Sequence, residues 1–240
     1  MTALRDLRVK LFADGADLAA MRDLAQLPYI AGFTTNPSLM RTAGVKDYAA
    51  FGRAVLDVVG QSPVSFEVFA DDFAIMEQQA REIAGWGPGV YVKIPVSDTR
   101  GTPSSGLLRR LAAAGVKVNV TAVFTLDQVR AASEALAGGP PAIISVFAGR
   151  IADTGRDPVP HMASAVDLLR TQPQQQLLWG SPREVLNVIQ ADRIGCHIIT
   201  LTPDLIRKLA LLGKPLEQYS RETVGAFHRD ASEAGLRLDS

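Results

Sequence analysis

The stretch of sequence from residue 90 to residue 123 decides the fold, and it reads VYVKIPVSDTRGTPSSGLLRRLAAAGVKVNVTAV. Residues 90–96 and 117–123 are short runs rich in Val, which is typical of buried strands. Residues 103–114, between them, carry Leu and Ala at helical spacing. A strand, a helix and a second strand in this order predict one βα unit of a parallel sheet.

The same alternation of strand and helix continues in both directions along the chain. The predicted strands are residues 8–14, 31–36, 64–70, 90–96, 117–123, 142–149, 176–181 and 197–202. The predicted helices are residues 16–26, 45–59, 72–85, 103–114, 125–137, 158–171, 182–191, 203–211 and 215–235. Pro103, Pro182 and Pro203 each mark the first turn of a predicted helix.

Eight such units predict an α/β protein in which one (β/α)8 TIM barrel spans residues 1–240 as a single domain. We expect the ninth helix, residues 215–235, to pack on the barrel or on a neighbouring subunit. A doubly wound open sheet is built from the same units and remains an alternative. No strand is followed by a Gly-rich dinucleotide fingerprint or a phosphate-binding GxxxxGK[ST] loop, which disfavours that fold.

The composition excludes several classes of protein. The chain has 25 Lys and Arg against 25 Asp and Glu, and 47% of its residues are hydrophobic. A disordered chain or a nucleic-acid coat is therefore disfavoured, and no membrane partner is expected because no apolar run reaches the ~20 residues of a span. Cys196 is the only cysteine, so a reducing, cytoplasmic location is expected. The three histidines lack metal-ligand spacing, so we assign no metal.

The fifth predicted strand separates an apolar face from a polar one, because alternate side chains of a strand point to opposite sides. The apolar face, which we expect to pack on helices, consists of Val118, Val120 and Ala122. The polar face, which we expect to point into the barrel, consists of Lys117, Asn119 and Thr121.

The same alternation of side chains, applied to the other predicted strands, places one candidate group on or just after most of them. These residues are Asp14, Asn36, Glu67, Lys93, Ser145, Phe147 and Ser181. Active sites of such barrels lie at the carboxyl ends of the strands. Polar groups that converge on one mouth therefore indicate an active site more than a generic core.

Lys93 is the sharpest candidate, because it interrupts the apolar run of the fourth strand. An unpaired buried ammonium is costly, so burial favours the neutral amine, which can attack a carbonyl and form a Schiff base. The alternative is a structural lysine paired with Glu67 or Asp14. Those two carboxylates would either transfer protons or act only as counter-ions.

Two further residues have both a local and a functional interpretation. Asn36 precedes Pro37 and Ser38, so it is either an ordinary helix cap or turn residue or a group that contacts substrate. Arg150 ends the sixth strand, where its planar guanidinium could bind a phosphate through two parallel hydrogen bonds.

Five ordered motifs resemble those of the transaldolase family, which includes transaldolase and fructose-6-phosphate aldolase. They are LFAD at residues 11–14, AGFTTNPS at 31–38, VKIP at 92–95, NVT at 119–121 and SVFAGR at 145–150. The resemblance extends from about residue 10 to residue 208, which is nearly the whole predicted barrel, and the TTNPS signature is highly specific.

The resemblance implies a role for each matching residue. Lys93 would form the Schiff base with a ketose donor, Asp14 would remove and return the proton, and Glu67 with Thr121 would activate water. The residues that would bind the dihydroxyacetone part are Asn36, Asn119 and Ser145, and Arg150 would bind the phosphate. The iminium is itself an electron sink, so neither a metal nor an organic cofactor is required.

Two positions distinguish the branches of the family. The aldolase branch is expected to have Gln and Tyr where this chain has Glu67 and Phe147. The resemblance therefore implies transfer of the three-carbon unit to an aldehyde acceptor rather than release of dihydroxyacetone. The chain length is closer to the compact branch, whose members assemble into rings, so a homo-oligomer is expected.

The motif after the seventh strand departs from the family pattern. Ser181 matches the expected serine, and Arg183 is the candidate for the basic residue that follows it. A shortened motif here leaves three donors open, namely a sugar phosphate, a sulfonated ketose and an unusual sugar. A fructose-6-phosphate-type aldolase and a sugar-phosphate binder without catalysis are the competing functions. A binder would not need Lys93 together with two proton-transfer groups.

Overall fold

A computed structural model describes residues 4–238. Eight parallel strands close into a barrel in the order of the sequence, so the predicted single (β/α)8 barrel is confirmed. The strands are β1 (Lys10–Asp14), β2 (Ile30–Thr34), β3 (Val64–Glu67), β4 (Val90–Pro95), β5 (Val118–Val123), β6 (Ala142–Val146), β7 (Gln175–Trp179) and β8 (Ile198–Leu201).

Helices surround the barrel, and at least one follows every strand. The α-helices are α1 (Leu18–Ala25), α2 (Pro37–Thr42), α3 (Tyr48–Val59), α4 (Phe73–Ala84), α5 (Ser105–Ala113), α6 (Leu126–Ala135), α7 (Ala148–Asp153), α8 (Pro158–Leu169), α9 (Leu186–Arg193), α10 (Pro203–Lys208) and α11 (Leu216–Glu233). Short 3-10 turns cover Leu4–Asp6 and Leu209–Leu211. Neither α2 nor α7 was among the nine predicted helices, although Asn36 was considered as the cap of a helix that begins at Pro37.

The sixth strand ends at Val146 and not at residue 149, so this predicted boundary was wrong. The N–H of Phe147 donates to the carbonyl of Val123, and α7 begins at the next residue, Ala148. Arg150 therefore projects from a helix and not from a strand exit.

Two of the three prolines precede their helices instead of lying in the first turn. Pro103 pairs with Ser97 in an isolated bridge, and Pro182 lies four residues before α9. After Pro182, the side chain of Asn187 accepts hydrogen bonds from two backbone N–H groups, which holds the chain in a turn. Pro203 is the first residue of α10, as predicted.

The end of β5 departs from strict alternation. Val118 and Val120 are buried in the core between barrel and helices, as predicted. Ala122 lines the cavity at the mouth of the barrel instead, because its φ is 58° and the β5–β6 register shifts between Val120 and Val123. Lys117 precedes β5 at the opposite end, where its ammonium donates to the carbonyl of Pro88.

An apolar cluster fills the lower interior of the barrel and forms the floor beneath the mouth. It consists of Phe12, Ile143, Leu178 and Ile198. Gly32 makes room for it, because a Cβ at this position would lie 2.5 Å from the Phe12 ring. Leu178 also lines the cavity at the mouth of the barrel, so this apolar cluster is in contact with the candidate site.

Candidate active site

A cavity of about 480 Å³ opens at the carboxyl ends of the strands. It brings together most of the residues that the sequence singled out. Those that line it are Asp14, Asn36, Glu67, Lys93, Thr121, Ser145, Phe147, Arg150 and Ser181. Asn119 and Arg183 are not among the lining residues.

The Lys93 side chain lies at the buried end of this cavity, on β4. The residue is only 6% exposed, and its Nζ lies 3.3 Å from Oε2 of Glu67. The ammonium also donates to the backbone carbonyl of Thr35 at 2.9 Å. The strand register pairs Glu67 with Lys93 and Lys93 with Asn119, so these three inward residues form one layer of the barrel. A lysine nucleophile with an adjacent carboxylate is suited to carbonyl chemistry.

A tyrosine that the sequence did not single out holds the backbone beside this pair. The Tyr48 hydroxyl donates to the carbonyl of Glu67 at 2.9 Å. Its ring packs edge-on against Phe66 and Trp86. Burial raises the pKa of Tyr48, so the hydroxyl remains a donor over the whole physiological range.

The Thr121 hydroxyl is buried at the cavity wall, and it makes no hydrogen bond with any residue between 4 and 238. A buried hydroxyl without a partner is costly, so its presence here is explained if a bound molecule supplies the bond. Thr121 is paired in register with Pro95, two residues beyond Lys93 on β4.

Asp14 ends β1 on the other side of the cavity. Its Oδ1 accepts a hydrogen bond of 2.7 Å from Thr34 Oγ1, which lies 2.6 Å from Thr200 Oγ1. Burial raises the pKa of Asp14 above the ordinary aspartate value, although the charge of Lys93 and the hydrogen bond from Thr34 lower it. A carboxyl group with a raised pKa is a better proton donor-acceptor pair for catalysis than one at the ordinary aspartate value.

We expect Asp14→Asn to increase the free energy of unfolding relative to the parent, with the increase growing as pH rises above the ordinary aspartate pKa. The unfolded chain loses the Asp14 proton first because the folded pKa is the higher of the two, so ionisation destabilises the folded state. Asparagine does not ionise and is free of this effect. Urea unfolding at about pH 4 and about pH 8 measures the difference. The exposed Asp167, changed to Asn, is the control, and a gap between parent and Asp14→Asn that shrinks with pH would contradict the assignment.

Asn119 lies behind the cavity wall instead of on it. The Ser145 hydroxyl donates to Asn119 Oδ1 at 2.6 Å, and Asn119 Nδ2 donates to Ser65 Oγ at 3.0 Å. Both amide atoms of Asn119 are thus engaged, and the residue is fully buried. In this arrangement Asn119 orients the Ser145 hydroxyl, which does reach the cavity.

Asn36 is both a helix cap and a residue of the cavity wall, the two roles that the sequence left open. Its Oδ1 accepts a hydrogen bond of 3.0 Å from the N–H of Leu39, so it is the N-cap of α2. The same residue lines the cavity. The cap occupies the side-chain oxygen and leaves the amide NH2 as a donor.

Arg150 places a second positive charge at the rim of the cavity. The guanidinium of Arg150 lies over the ring of Phe147, 5.1 Å from its centroid. No residue in the range 4–238 forms a salt bridge with Arg150, so its donors are available to an anion. Arg183 instead forms an ion pair with Asp153, with both side chains about half exposed.

The turn after β7 is tightly packed against α7. Ser181 has a left-handed φ of 54°, which is strained for a serine, and it lines the cavity. Gly149 lies against it, and a Cβ on Gly149 would be 1.5 Å from the Ser181 carbonyl oxygen. The N–H of Gly149 donates to the carbonyl of Gly180 at 3.2 Å.

Several cavity residues were missed by the sequence reasoning. They are Thr34, Pro37, Ser38, Leu39, Ala122, Leu178, Gly180 and Thr200. Thr34 lies two residues before Asn36, so the alternation of side chains along the second strand would have predicted that it points inward. In the described part of the chain, no group of three His, Cys, Asp or Glu side chains could hold a metal ion.

Comparison with known proteins identifies relatives along almost the whole chain. A family model described as "Transaldolase/Fructose-6-phosphate aldolase" matches residues 11–239. A protein of Rhodospirillum centenum named "Probable transaldolase" is 36% identical over 217 residues, which cover 88% of this chain and 89% of that protein. A protein of Paracoccus denitrificans with the same name is 34% identical, covering 89% of this chain and 96% of that protein.

One solved structure resembles this chain in its fold. The crystal structure of a protein from Burkholderia cenocepacia J2315 superposes with a TM-score of 0.57 at 17% sequence identity. The match covers 94% of this chain and 82% of that one. At this level of identity the likeness concerns only the barrel architecture.

Proposed function

The chain belongs to the transaldolase/fructose-6-phosphate aldolase family. From this premise we propose that it is a transaldolase, which transfers a dihydroxyacetone unit from a ketose phosphate to an aldose acceptor through a Schiff base on Lys93. The observation that carries the proposal is the buried Lys93 ammonium, 3.3 Å from Glu67, in a cavity that Asp14 also lines. A sugar-binding protein without catalysis would have no use for this arrangement.

In the proposed reaction Glu67 takes a proton from the Lys93 ammonium, 3.3 Å away, and the resulting amine adds to the ketose carbonyl. The proton then passes to the departing hydroxyl, which leaves as water, and an iminium ion remains on Lys93. Glu67 and the unpartnered hydroxyl of Thr121 handle that water. Asp14 removes the proton of the hydroxyl at C4, the C3–C4 bond breaks, and its electron pair moves to the iminium nitrogen. The leaving aldehyde is glyceraldehyde 3-phosphate from fructose 6-phosphate, or erythrose 4-phosphate from sedoheptulose 7-phosphate.

The enamine that remains on Lys93 then adds to the carbonyl carbon of the acceptor aldehyde. Asp14 gives its proton to the new alkoxide, and hydrolysis releases the longer ketose and the free amine. Phe147 favours this outcome over simple cleavage, because its ring lines the cavity and has no hydroxyl with which to protonate the enamine. The hydroxyl groups of the bound unit would be held by Ser145 and by the amide of Asn36.

We propose Arg150 as the ligand of the substrate phosphate. Arg150→Ala is expected to raise KM for a phosphorylated donor by about tenfold or more, because a charge-assisted, two-bond contact is lost. Arg183→Ala should have a smaller effect, because Arg183 is held by Asp153 and lies outside the cavity lining. Steady-state kinetics with fructose 6-phosphate and with unphosphorylated fructose check this prediction. A loss of equal size with both sugars would contradict a phosphate contact.

The experiment that tests the proposed function measures products with and without an acceptor. Fructose 6-phosphate with erythrose 4-phosphate should yield sedoheptulose 7-phosphate and glyceraldehyde 3-phosphate, while fructose 6-phosphate alone should release little dihydroxyacetone. Equally fast release of dihydroxyacetone without acceptor would indicate an aldolase. No reaction with phosphorylated donors, but turnover of a sulfonated or otherwise unusual ketose, would indicate a specialised transaldolase.

We propose that the enzyme is a cytoplasmic homo-oligomer that uses α11. Within residues 216–233 no side chain is buried, and the exposed apolar ones include Leu216, Tyr219, Val224 and Phe227. An apolar helix surface of this kind marks an interaction site. No helix between residues 4 and 238 is both long and apolar enough to cross a membrane. Light scattering should give a mass that is a multiple of the chain mass, and a monomeric mass would refute the oligomer.

A further inference from the structure

We propose that Thr200 on β8 is a positioning residue, which acts on the proton-transfer carboxylate of Asp14 through the hydroxyl of Thr34. This inference rests on the proposed function for its kinetic consequences, but the hydrogen-bond chain can be tested in the resting protein. Thr200 is not part of any motif that the sequence singled out, and it lies 166 residues from Thr34 along the chain.

The three side chains form one continuous hydrogen-bonded chain across the junction where the barrel closes. Thr34 Oγ1 is 2.7 Å from Asp14 Oδ1, and Thr200 Oγ1 is 2.6 Å from Thr34 Oγ1. The strand register explains the meeting, since β1 pairs with β2 on one side and with β8 on the other. Thr34 and Thr200 are both buried, at 2% and 8% exposure, at the wall of the cavity.

The direction of the chain depends on the protonation state of Asp14. A hydroxyl has one proton, and Thr34 gives its proton to Asp14 when the carboxyl is ionised. The proton between the two threonines must then come from Thr200. If Oδ1 is protonated instead, both hydroxyls can rotate and the chain reverses, with Asp14 donating to Thr34 and Thr34 donating to Thr200.

Thr200 is thus the terminal donor for the ionised state, and it polarises Thr34 toward the carboxylate. The chain leaves Asp14 Oδ2 without a hydrogen bond from any residue between 4 and 238, so this oxygen is the one available to substrate. The charged groups that line the cavity together with Asp14 are Lys93 on β4, Glu67 on β3 and Arg150 on α7. Asp17, the N-cap of α1, lines a neighbouring cavity that Asp14 also borders. None of them is altered by a change at Thr200.

Thr200→Val keeps the shape of the side chain and its preference for a strand, but removes the donor. We expect kcat to fall by about fivefold with little change in KM, and the acidic limb of the kcat profile to move to higher pH. Thr200→Ser restores the hydroxyl and should recover most of the activity. In a Thr34→Val background, Thr200→Val should cause no further loss of kcat, because the hydrogen-bonded chain is already interrupted at Thr34.

The decisive measurement does not depend on turnover. Carboxyl-carbon NMR of the resting protein, with the Asp14 signal assigned from Asp14→Asn, gives the Asp14 titration directly. The proposal predicts a higher pKa in Thr200→Val than in the parent and a parental titration in Thr200→Ser. An unchanged Asp14 titration in Thr200→Val would overturn the proposal that Thr200 acts on Asp14 through Thr34, whatever the substrate proves to be. A raised KM in Thr200→Val that persists in the Thr34→Val background would instead show direct substrate contact and overturn it as well.

Discussion

Replacing Lys93 with methionine is expected to lower kcat by at least about a thousandfold, because no other amine among residues 4–238 lines the cavity to replace it as the proposed nucleophile. Methionine has a similar length and is apolar, so it fits the buried position of Lys93 within β4. Product formation from fructose 6-phosphate and an aldose phosphate acceptor measures the loss, and circular dichroism checks that the barrel is retained.

Lys117→Met is the matched control for this substitution. The Lys117 ammonium also donates to a backbone carbonyl, that of Pro88, but it lies at the opposite end of the barrel. Its replacement should leave kcat near the parental value. Substantial activity in Lys93→Met, with normal folding, would refute the lysine mechanism.

Replacing Gly149 with alanine is expected to lower the free energy of unfolding by about 3 kcal/mol, because the change forces apart two backbone segments. The new Cβ would be 1.5 Å from the carbonyl oxygen of Ser181 and 2.6 Å from its carbonyl carbon. Backbone atoms cannot yield as a flexible side chain does. The first turn of α7 must therefore move, and Arg150, the next residue, moves with it.

Urea unfolding measures the loss of stability, and KM for a phosphorylated donor measures the displacement of Arg150. Gly106→Ala is the matched control, because this glycine lies in α5 and the nearest atom to its Cβ is the flexible Arg110 guanidinium at 3.8 Å. Alanine should stabilise that helix by up to about 1 kcal/mol. Parental stability in Gly149→Ala would show that α7 and the Ser181 turn are not packed as described.

The sequence was sufficient to predict all eight strands and their order, because each strand has a local apolar pattern. It did not predict strand ends and side-chain orientations where packing between distant segments determines the backbone conformation. Val146 ends β6 early because α7 starts immediately afterwards, and Ala122 turns toward the cavity at a register shift between β5 and β6. Neither feature has a local signal.

The candidate site shows the same division. Parity and motif resemblance identified Lys93, Glu67 and Asp14, because each lies at a fixed position near the end of its own strand. The hydroxyl of Thr200 lies within hydrogen-bond distance of Thr34 only because β8 closes the barrel beside β1, which no local pattern reveals. The pairing of Arg183 with Asp153 likewise depends on how the turn after β7 packs against α7.

Reductive trapping with borohydride tests directly whether Lys93 forms the Schiff base. The protein is incubated with fructose 6-phosphate and borohydride without an acceptor, and the modified peptide is located by mass spectrometry. We expect a reduced three-carbon adduct on the peptide that contains Lys93, since cleavage leaves the dihydroxyacetone unit on the amine. Turnover of this donor without any adduct, or an adduct on another lysine such as Lys117, would contradict it.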